Sequence, residues 1–321
     1  MRRREFISLI AAATTWPLTA RGGQISVIGL LSPQPNGERP AYAAFRRGLA
    51  EEGYLEGNNL TIESRFTNFR PELMNEAARD LVGLQVNVIF AGYPESIAAA
   101  RKATSSIPTV AVDLESDPLA LGYIESLARP GGNLTGMFLD FPELSGKQVA
   151  LLKEIVPRLT RMAIFGIPGL NAAQFAAAAS AARTVGVEAE IIEVHVPDDW
   201  GRSLEGAKKR GIEAGILLSS PLVYRSSKQI GELALINQLP LISMFPEFPK
   251  AGGFIAYGPE IDAMWQKAGI YVGKILHGAK PSDLPIQRPE KFDLVINLKT
   301  AQALGLSVPY VLLSTADDVI E

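Results

Sequence analysis

Two stretches of the chain, more than a hundred residues apart, repeat the same order of apolar and turn-forming residues. They span 86–112 and 213–244. In each, an apolar run rich in β-branched residues leads through a short turn and a helical segment to a proline, Pro108 or Pro240, and a second apolar run. This pattern predicts a strand–helix–strand unit with parallel strands in each half. Because parallel sheets bind ligands at the carboxyl ends of their strands, the repeat predicts two α/β lobes with a ligand cleft between them.

The length of 321 residues provides enough chain for two cores of roughly 150 residues each. We predict that the first lobe comprises 23–137 and 254–288, and the second 138–253 and 289–321. Two extended segments, Leu134 to Leu139 and Gly252 to Tyr257, are expected to leave one sheet for the other and form a hinge with several crossings.

Three further elements are predicted from local patterns. A short continuous apolar run indicates a strand over 161–166, and apolar residues at helical spacing indicate a long helix over 261–276. The pair Asp117-Pro118 provides a helix cap and a first-turn proline, so a helix is expected from there to Arg129, ended by Pro130.

Residues 1–22 have the three parts of an export leader. Arg2 to Arg4 form a positive start, residues 6–18 are mostly apolar, and Ala20 to Gly22 offer small side chains for cleavage near Gly22. Arg3 and Arg4 resemble the paired arginines of the twin-arginine export pattern. The expected location is therefore the periplasm.

Charge and cysteine content exclude several classes of function. The leader carries four Arg and one Glu, so its removal takes the formal net charge from −3 to −6, which argues against nucleic acid as a partner. The chain has no cysteine, which excludes disulfides, thiolate catalysis and cysteine-ligated metals. We expect a periplasmic monomer with no cofactor and no metal.

Four segments resemble one known family. They are 126–136 (SLARPGGNLTG), 147–157 (KQVALLKEIVP), 251–258 (AGGFIAYG) and 292–306 (FDLVINLKTAQALGL). Together they resemble the ABC-transporter substrate-binding protein family that includes tryptophan-binding lipoproteins. The resemblance implies a type I periplasmic-binding-protein fold that captures a small molecule and delivers it to an ABC permease in the inner membrane.

Candidate ligand-binding residues lie in the turns that follow the predicted strands. In the first lobe they are Ser32, Gln34, Tyr93, Glu95, Ser96, Asp113 and Asp117; in the second they are Asn171, Ser219, Ser220 and Phe245, with Tyr257 near a crossing. Ser96 at a helix start can bind a carboxylate, and Asp113 beside it can bind an ammonium group. These turns contain no Lys or Arg, which favours a zwitterion such as an amino acid as the ligand. We expect that amino acid to have an aromatic or branched side chain.

Some of these residues have ordinary structural alternatives. Glu95, Ser96 and Asp117 are residue types that favour helix starts without any ligand. Phe245 and Tyr257 are large apolar side chains that pack in most proteins.

Two alternative functions remain open at this point. A periplasmic hydrolase could use Asp113 and Glu115 as its carboxyl pair, although the chain has only two histidines and no nucleophile elbow or phosphate loop. A ligand-sensing subunit that docks to a membrane receptor would show the same binding residues.

The leader generates the first testable prediction. Replacing Arg3 and Arg4 together with Lys should block translocation and leave folding of the rest of the chain intact, because the twin-arginine route requires both arginines. Cell fractionation and immunoblotting of the double variant measure this. Normal periplasmic yield would instead assign the protein to the general secretory route.

Overall fold

The computed structural model describes residues 25–37 and 39–321 and arranges them in two α/β lobes, each built around one sheet. The predicted export leader lies outside the described residues. No helix in the described part of the chain is both long and apolar enough to cross a membrane.

The first lobe contains a sheet of five parallel strands in the order β2-β1-β3-β4-β5. The strands are β1 (Ser26–Ser32), β2 (Leu60–Phe66), β3 (Val88–Gly92), β4 (Thr109–Asp113) and β5 (Leu134–Phe138). The helices after the first three strands are α1 (Pro40–Glu51), α2 (Met74–Gly83) and α3 (Pro94–Ala103), with a 3-10 turn at Pro71–Leu73. Every residue of β3, β4 and β5 is buried, as expected for parallel strands covered on both faces.

The second lobe contains a seven-stranded sheet in the order β12-β11-β10-β9-β8-β6-β7. Its strands are β6 (Arg161–Gly166), β7 (Glu188–Glu193), β8 (Ala214–Leu217), β9 (Leu241–Ser243), β10 (Ile255–Pro259), β11 (Phe292–Asn297) and β12 (Asp318–Ile320). Its helices are α4 (Phe141–Ile155), α5 (Ala172–Thr184), α6 (Asp199–Lys209), α7 (Pro221–Arg225), α8 (Ser227–Ile236), α9 (Glu247–Lys250), α11 (Leu298–Ala303) and α12 (Tyr310–Thr315). Strands β10 and β11 are antiparallel, and the other neighbours are parallel. The predicted class, two lobes with mostly parallel sheets, is confirmed.

The chain passes between the lobes three times: after β5, after β10, and between a 3-10 turn at Pro281–Asp283 and β11. The crossing segments run side by side. Gln287 accepts a hydrogen bond from the Phe138 N–H at 3.0 Å and donates one to the Gly136 carbonyl at 2.9 Å, and Glu260 donates its N–H to the Lys291 carbonyl at 3.1 Å. These bonds make the hinge a short ribbon of paired backbone.

The segments expected to cross lie within the sheets. Leu134–Phe138 pairs with β4 as the fifth strand of the first sheet. Ile255–Pro259 pairs with β9 and β11 in the second sheet, so its assignment to the first lobe with 254–288 was wrong. The return to the first lobe begins at Glu260, because two neighbouring strands hold the residues before it.

The helix predicted from Asp117 to Arg129 is absent. The Asp117 carboxylate accepts hydrogen bonds from the N–H groups of Leu119 and Ala120, but Gly122 then takes a positive φ of 64° and ends the turn. Pro130 therefore ends no helix, and the nearby Ser126 side chain instead closes a turn on the backbone of Arg129.

Helix α10 (Ile261–Leu276) crosses α1 at very short range in the first lobe. A Cβ atom on Gly48 of α1 would lie 1.9 Å from the carbonyl oxygen of Gln266, and one on Gly269 of α10 would lie 2.1 Å from that of Phe45. Both glycines are therefore required by close contact between two backbones. The contact fixes α10 against the first sheet, where Trp265 joins the core.

We predict that Gly48→Ala lowers the free energy of unfolding by ~1–3 kcal/mol, because the new methyl group separates α1 from α10. Urea unfolding followed by circular dichroism measures the change. Gly146→Ala is the matched control: it lies inside α4 with no atom within 4 Å of a new Cβ, and it should raise stability by ~0.5–1 kcal/mol. Equal effects of the two substitutions would contradict this account of the helix crossing.

Candidate functional site

The two lobes meet where the carboxyl ends of their strands face each other. Glu115, just after β4, accepts a hydrogen bond from the Ser219 hydroxyl, just after β8, with 2.7 Å between Oε1 and Oγ. Glu115 is 4% exposed and Ser219 is 1% exposed. Nearby, the guanidinium of Arg225 in the second lobe lies 4.1 Å from the ring centre of Phe69 in the first. The structure therefore shows the cleft with its walls in contact.

Asp113 divides its two carboxylate oxygens between different environments. Oδ1 accepts hydrogen bonds from the N–H groups of Glu115 at 2.8 Å and Ser116 at 2.9 Å, which shapes the turn after β4. Oδ2 is buried and has no hydrogen-bond partner. One oxygen is thus structural and the other is available to a ligand.

The cleft contains three carboxyl groups with raised pKa values. Burial raises the pKa of Glu115 to about 8, and the nearby charge of Asp113 contributes a smaller part of the shift. Burial also raises the pKa of Asp113 and that of Glu95, which lies in the first turn of α3. Each group retains its charge more readily when a cation lies beside it.

Buried polar atoms without a partner concentrate at this cleft. Among the described residues they are Arg39 Nε, Thr67 Oγ1, Ser96 Oγ, Asp113 Oδ2, Glu115 Oε2, Gln174 Nε2 and Trp200 Nε1. All but Trp200, which packs in the core of the second lobe, lie between the carboxyl end of a strand and the first turn of the next helix. Leaving a buried polar atom unpaired costs about 1–3 kcal/mol, so these atoms are the ones that a polar ligand in the cleft would satisfy.

Tyr93 directly precedes α3 and has an unusual backbone conformation. Its φ of 82° and ψ of 147° fall in a region that residues other than glycine rarely adopt. The N–H of Tyr93 donates to the Val112 carbonyl at 3.0 Å, which holds the residue in place beside β4. Burial raises the pKa of its phenol group, and Glu115 adds to that shift. The strain places an aromatic ring next to the carboxyl groups.

Arg39 provides the cation that the sequence analysis did not find. It directly precedes α1, its Nε atom is buried without a partner, and its charge acts on Tyr93 of the first lobe and Tyr224 of the second. The turns named in the sequence analysis do lack Lys and Arg, and Arg39 lies outside them, between β1 and α1. The sequence feature that points to Arg39 is its position immediately before Pro40, a helix-starting proline, in the loop that follows β1.

In the second lobe, Asn171 and Gln174 hold the Ser219 loop. Asn171 accepts from the Ile167 N–H and donates to the Ser219 carbonyl, both at 2.7 Å. Gln174 accepts from the Ser219 N–H at 2.9 Å and leaves its Nε2 group unpaired. Ser220 caps α7 by accepting from the Val223 N–H at 3.1 Å. Asn171 and Ser220 thus support the loop, and Gln174, which the sequence analysis missed, has a free donor.

The other predicted residues have packing or turn contacts. Ser32 is hydrogen-bonded to the Tyr42 hydroxyl at 3.0 Å, and Gln34 is buried beside it. Phe245 packs edge-on against Tyr224, with 5.3 Å between ring centres. Tyr257 stacks on Phe292, with 5.5 Å between ring centres.

The sequence of residues 25–320 matches the family model described as "ABC transporter substrate binding protein". The chain belongs to this family. Proteins of the family bind solutes outside the cytoplasm and are not enzymes.

Individual relatives agree with the family in sequence and fold. A tyrosine-binding protein of Clostridioides difficile is 22% identical over 268 residues, which cover 83% of this chain and 76% of the relative. The ABC domain from Streptococcus pneumonia in complex with L-Trp has a TM-score of 0.83 at 21% identity and covers 92% of this chain and 99% of its own. A conserved domain protein from Vibrio cholerae has a TM-score of 0.82 at 24% identity, with the same shares. All three are similar to this chain over both lobes.

Proposed function

We propose that the protein captures an amino acid in the cleft between its lobes and delivers it to the permease of an ABC importer. One observation carries the proposal: buried polar atoms from both lobes converge on a closed cleft and lack partners. A ligand that satisfies them stabilises the closed form, because only that form brings both sets of atoms to the ligand.

The charges of the cleft suit a zwitterion. Asp113 Oδ2 and Glu115 Oε2 provide acceptors for an ammonium group. Arg39 Nε and the Ser96 hydroxyl, which lies in the first turn of the ten-residue helix α3, provide donors for a carboxylate. A sugar has no charge for either set, and a dicarboxylate matches only the donors.

Aromatic rings beside these groups favour a flat side chain on the ligand. Tyr93 comes from the first lobe, and Tyr224 and Phe245 come from the second. The printed names of two relatives, a tyrosine-binding protein and a complex with L-Trp, support an aromatic amino acid as the ligand.

Export and partner follow from the same proposal. The leader directs the chain to the periplasm and is cleaved near Gly22, and the loaded monomer docks on a permease in the inner membrane. The absence of cysteine and the acidic mature chain are consistent with a periplasmic monomer.

The proposed function is tested by identifying what the protein binds. Native mass spectrometry of protein purified without refolding should show an adduct with the mass of an amino acid. Calorimetry on protein stripped of ligand should then show binding of L-tryptophan or L-tyrosine, and none of indole-3-propionate, which lacks the α-amino group. A sugar as the co-purified ligand, or equal binding of the deaminated compound, would contradict the proposal.

We predict that Asp113→Asn weakens binding of that amino acid by ~1.5–3 kcal/mol, the scale of a charge-assisted hydrogen bond. The free protein should keep its melting temperature, since the amide oxygen still accepts from the N–H groups of Glu115 and Ser116. Titration calorimetry and thermal unfolding measure the two effects.

Asp199→Asn is the matched control for this variant. The Asp199 carboxylate also accepts from two backbone N–H groups, those of His195 and Val196, but it has no unpaired buried oxygen. We expect its affinity to equal that of the unmodified protein. Unchanged affinity in Asp113→Asn itself would show that Asp113 only shapes the turn.

A further inference from the structure

Glu115 is a carboxyl group of the first lobe whose hydrogen bond is made to the second. Ser219 donates to Oε1 at 2.7 Å, while Oε2 is buried without a partner. A buried carboxylate that lacks a cation carries a large desolvation cost. Closure of the empty cleft therefore requires something that neutralises Glu115.

The groups around Glu115 increase this cost. The charges that act on it most strongly are the carboxylates of Asp113, the last residue of β4, and Glu95, on α3. Tyr93 adds a neutral phenol, and the second lobe presents the uncharged Ser219 and the helix α5 with Gln174. The cations near the cleft lie beside other groups: the charge of Arg39 acts on Tyr93 and Tyr224, and Arg225 lies over the ring of Phe69.

We propose that Glu115 is a proton-dependent latch between the lobes. The empty cleft closes with Glu115 as a neutral acid, and the cationic nitrogen of a bound ligand takes the place of the proton. The ligand step rests on the proposed function; closure of the empty cleft does not.

The neutral form fits the hydrogen bonds of the site. Oε1 still accepts from the Ser219 hydroxyl, and a proton on Oε2 removes the charge from a buried carboxyl oxygen that has no hydrogen-bond partner. The proton comes from solvent as the lobes close, and it returns to solvent when they open or when a cationic ligand enters.

The direction of the pH dependence follows from the two states. Opening of the cleft exposes Glu115 to water and lowers its pKa toward the ordinary range, with Asp113 and Glu95 of the same lobe still beside it, whereas burial in the closed form raises that pKa to about 8. Between these values closure takes up one proton, so the ratio of closed to open molecules falls about tenfold for each unit of rising pH. Below the lower value and above the higher one, Glu115 contributes no further pH dependence.

The proposed latch is tested on the ligand-free protein. Because the chain has no cysteine, Glu76→Cys on α2 and Lys228→Cys on α8, both at exposed positions, can be labelled as a donor–acceptor pair for energy transfer. From pH 5 to pH 8 the closed-to-open ratio should fall by at least tenfold in the labelled parent. Glu115→Gln, which is neutral at every pH, should show no such fall. Ser219→Ala should lower the closed fraction already at pH 5.

Two control variants accompany these. Glu232→Gln removes an exposed carboxyl from α8, and Ser145→Ala removes a buried hydroxyl from α4, outside the cleft loops. Both should follow the pH dependence of the labelled parent. Circular dichroism at pH 5 and pH 8 confirms that each variant is folded.

Three results would overturn the latch: a closed fraction independent of pH, the same pH dependence in Glu115→Gln as in the parent, or a protein that stays open at every pH. None of these results would contradict amino-acid binding measured by calorimetry. Conversely, a pH-dependent closure of the free protein would stand even if the ligand were not an amino acid.

Discussion

Parallel strand pairing is the constraint on which the rest of this structure depends. All five strands of the first sheet run in one direction, so every turn after a strand emerges at the same edge. In the second sheet β6, β8 and β9 do the same. Backbone and side-chain polar groups that the sheet no longer pairs accumulate at these edges. When the two edges face each other, those groups form one cleft, and the bond between Glu115 and Ser219 joins its walls.

The cleft combines two uses of the same side chains. Asp113 uses one oxygen to shape its turn and leaves the other unpaired, and Gln174 divides its amide in the same way. A residue fixed by half of its hydrogen-bonding capacity presents the other half in a defined direction. This arrangement lowers the entropy lost on binding, because the side chain is already ordered before a ligand arrives.

Local patterns predicted the elements whose cause is local. The strand Arg161–Gly166 and the helix Ile261–Leu276 have the predicted bounds, since a short apolar run decides the first and apolar residues at helical spacing decide the second. The helix after Asp117 failed because its capping signal is equally the signal of a turn, and only Gly122 distinguishes the two. Ile255–Pro259 was placed in the wrong lobe since strand partners are distant in sequence. Arg39 was missed for a related reason: the distance from its helix start to the cleft depends on how the loop after β1 folds.

The contact of α10 with α1 has a consequence for the order in which the chain is made. Trp265 and other residues of α10 complete the core of a lobe whose first strand starts at Ser26. While the ribosome is still adding the second lobe, Phe45 and Phe90 of the nascent first lobe lack the helix that covers them. An incomplete core of this kind exposes apolar surface, which favours aggregation and binding by chaperones. The first lobe thus reaches its final packing only after synthesis has passed the end of α10 at Leu276.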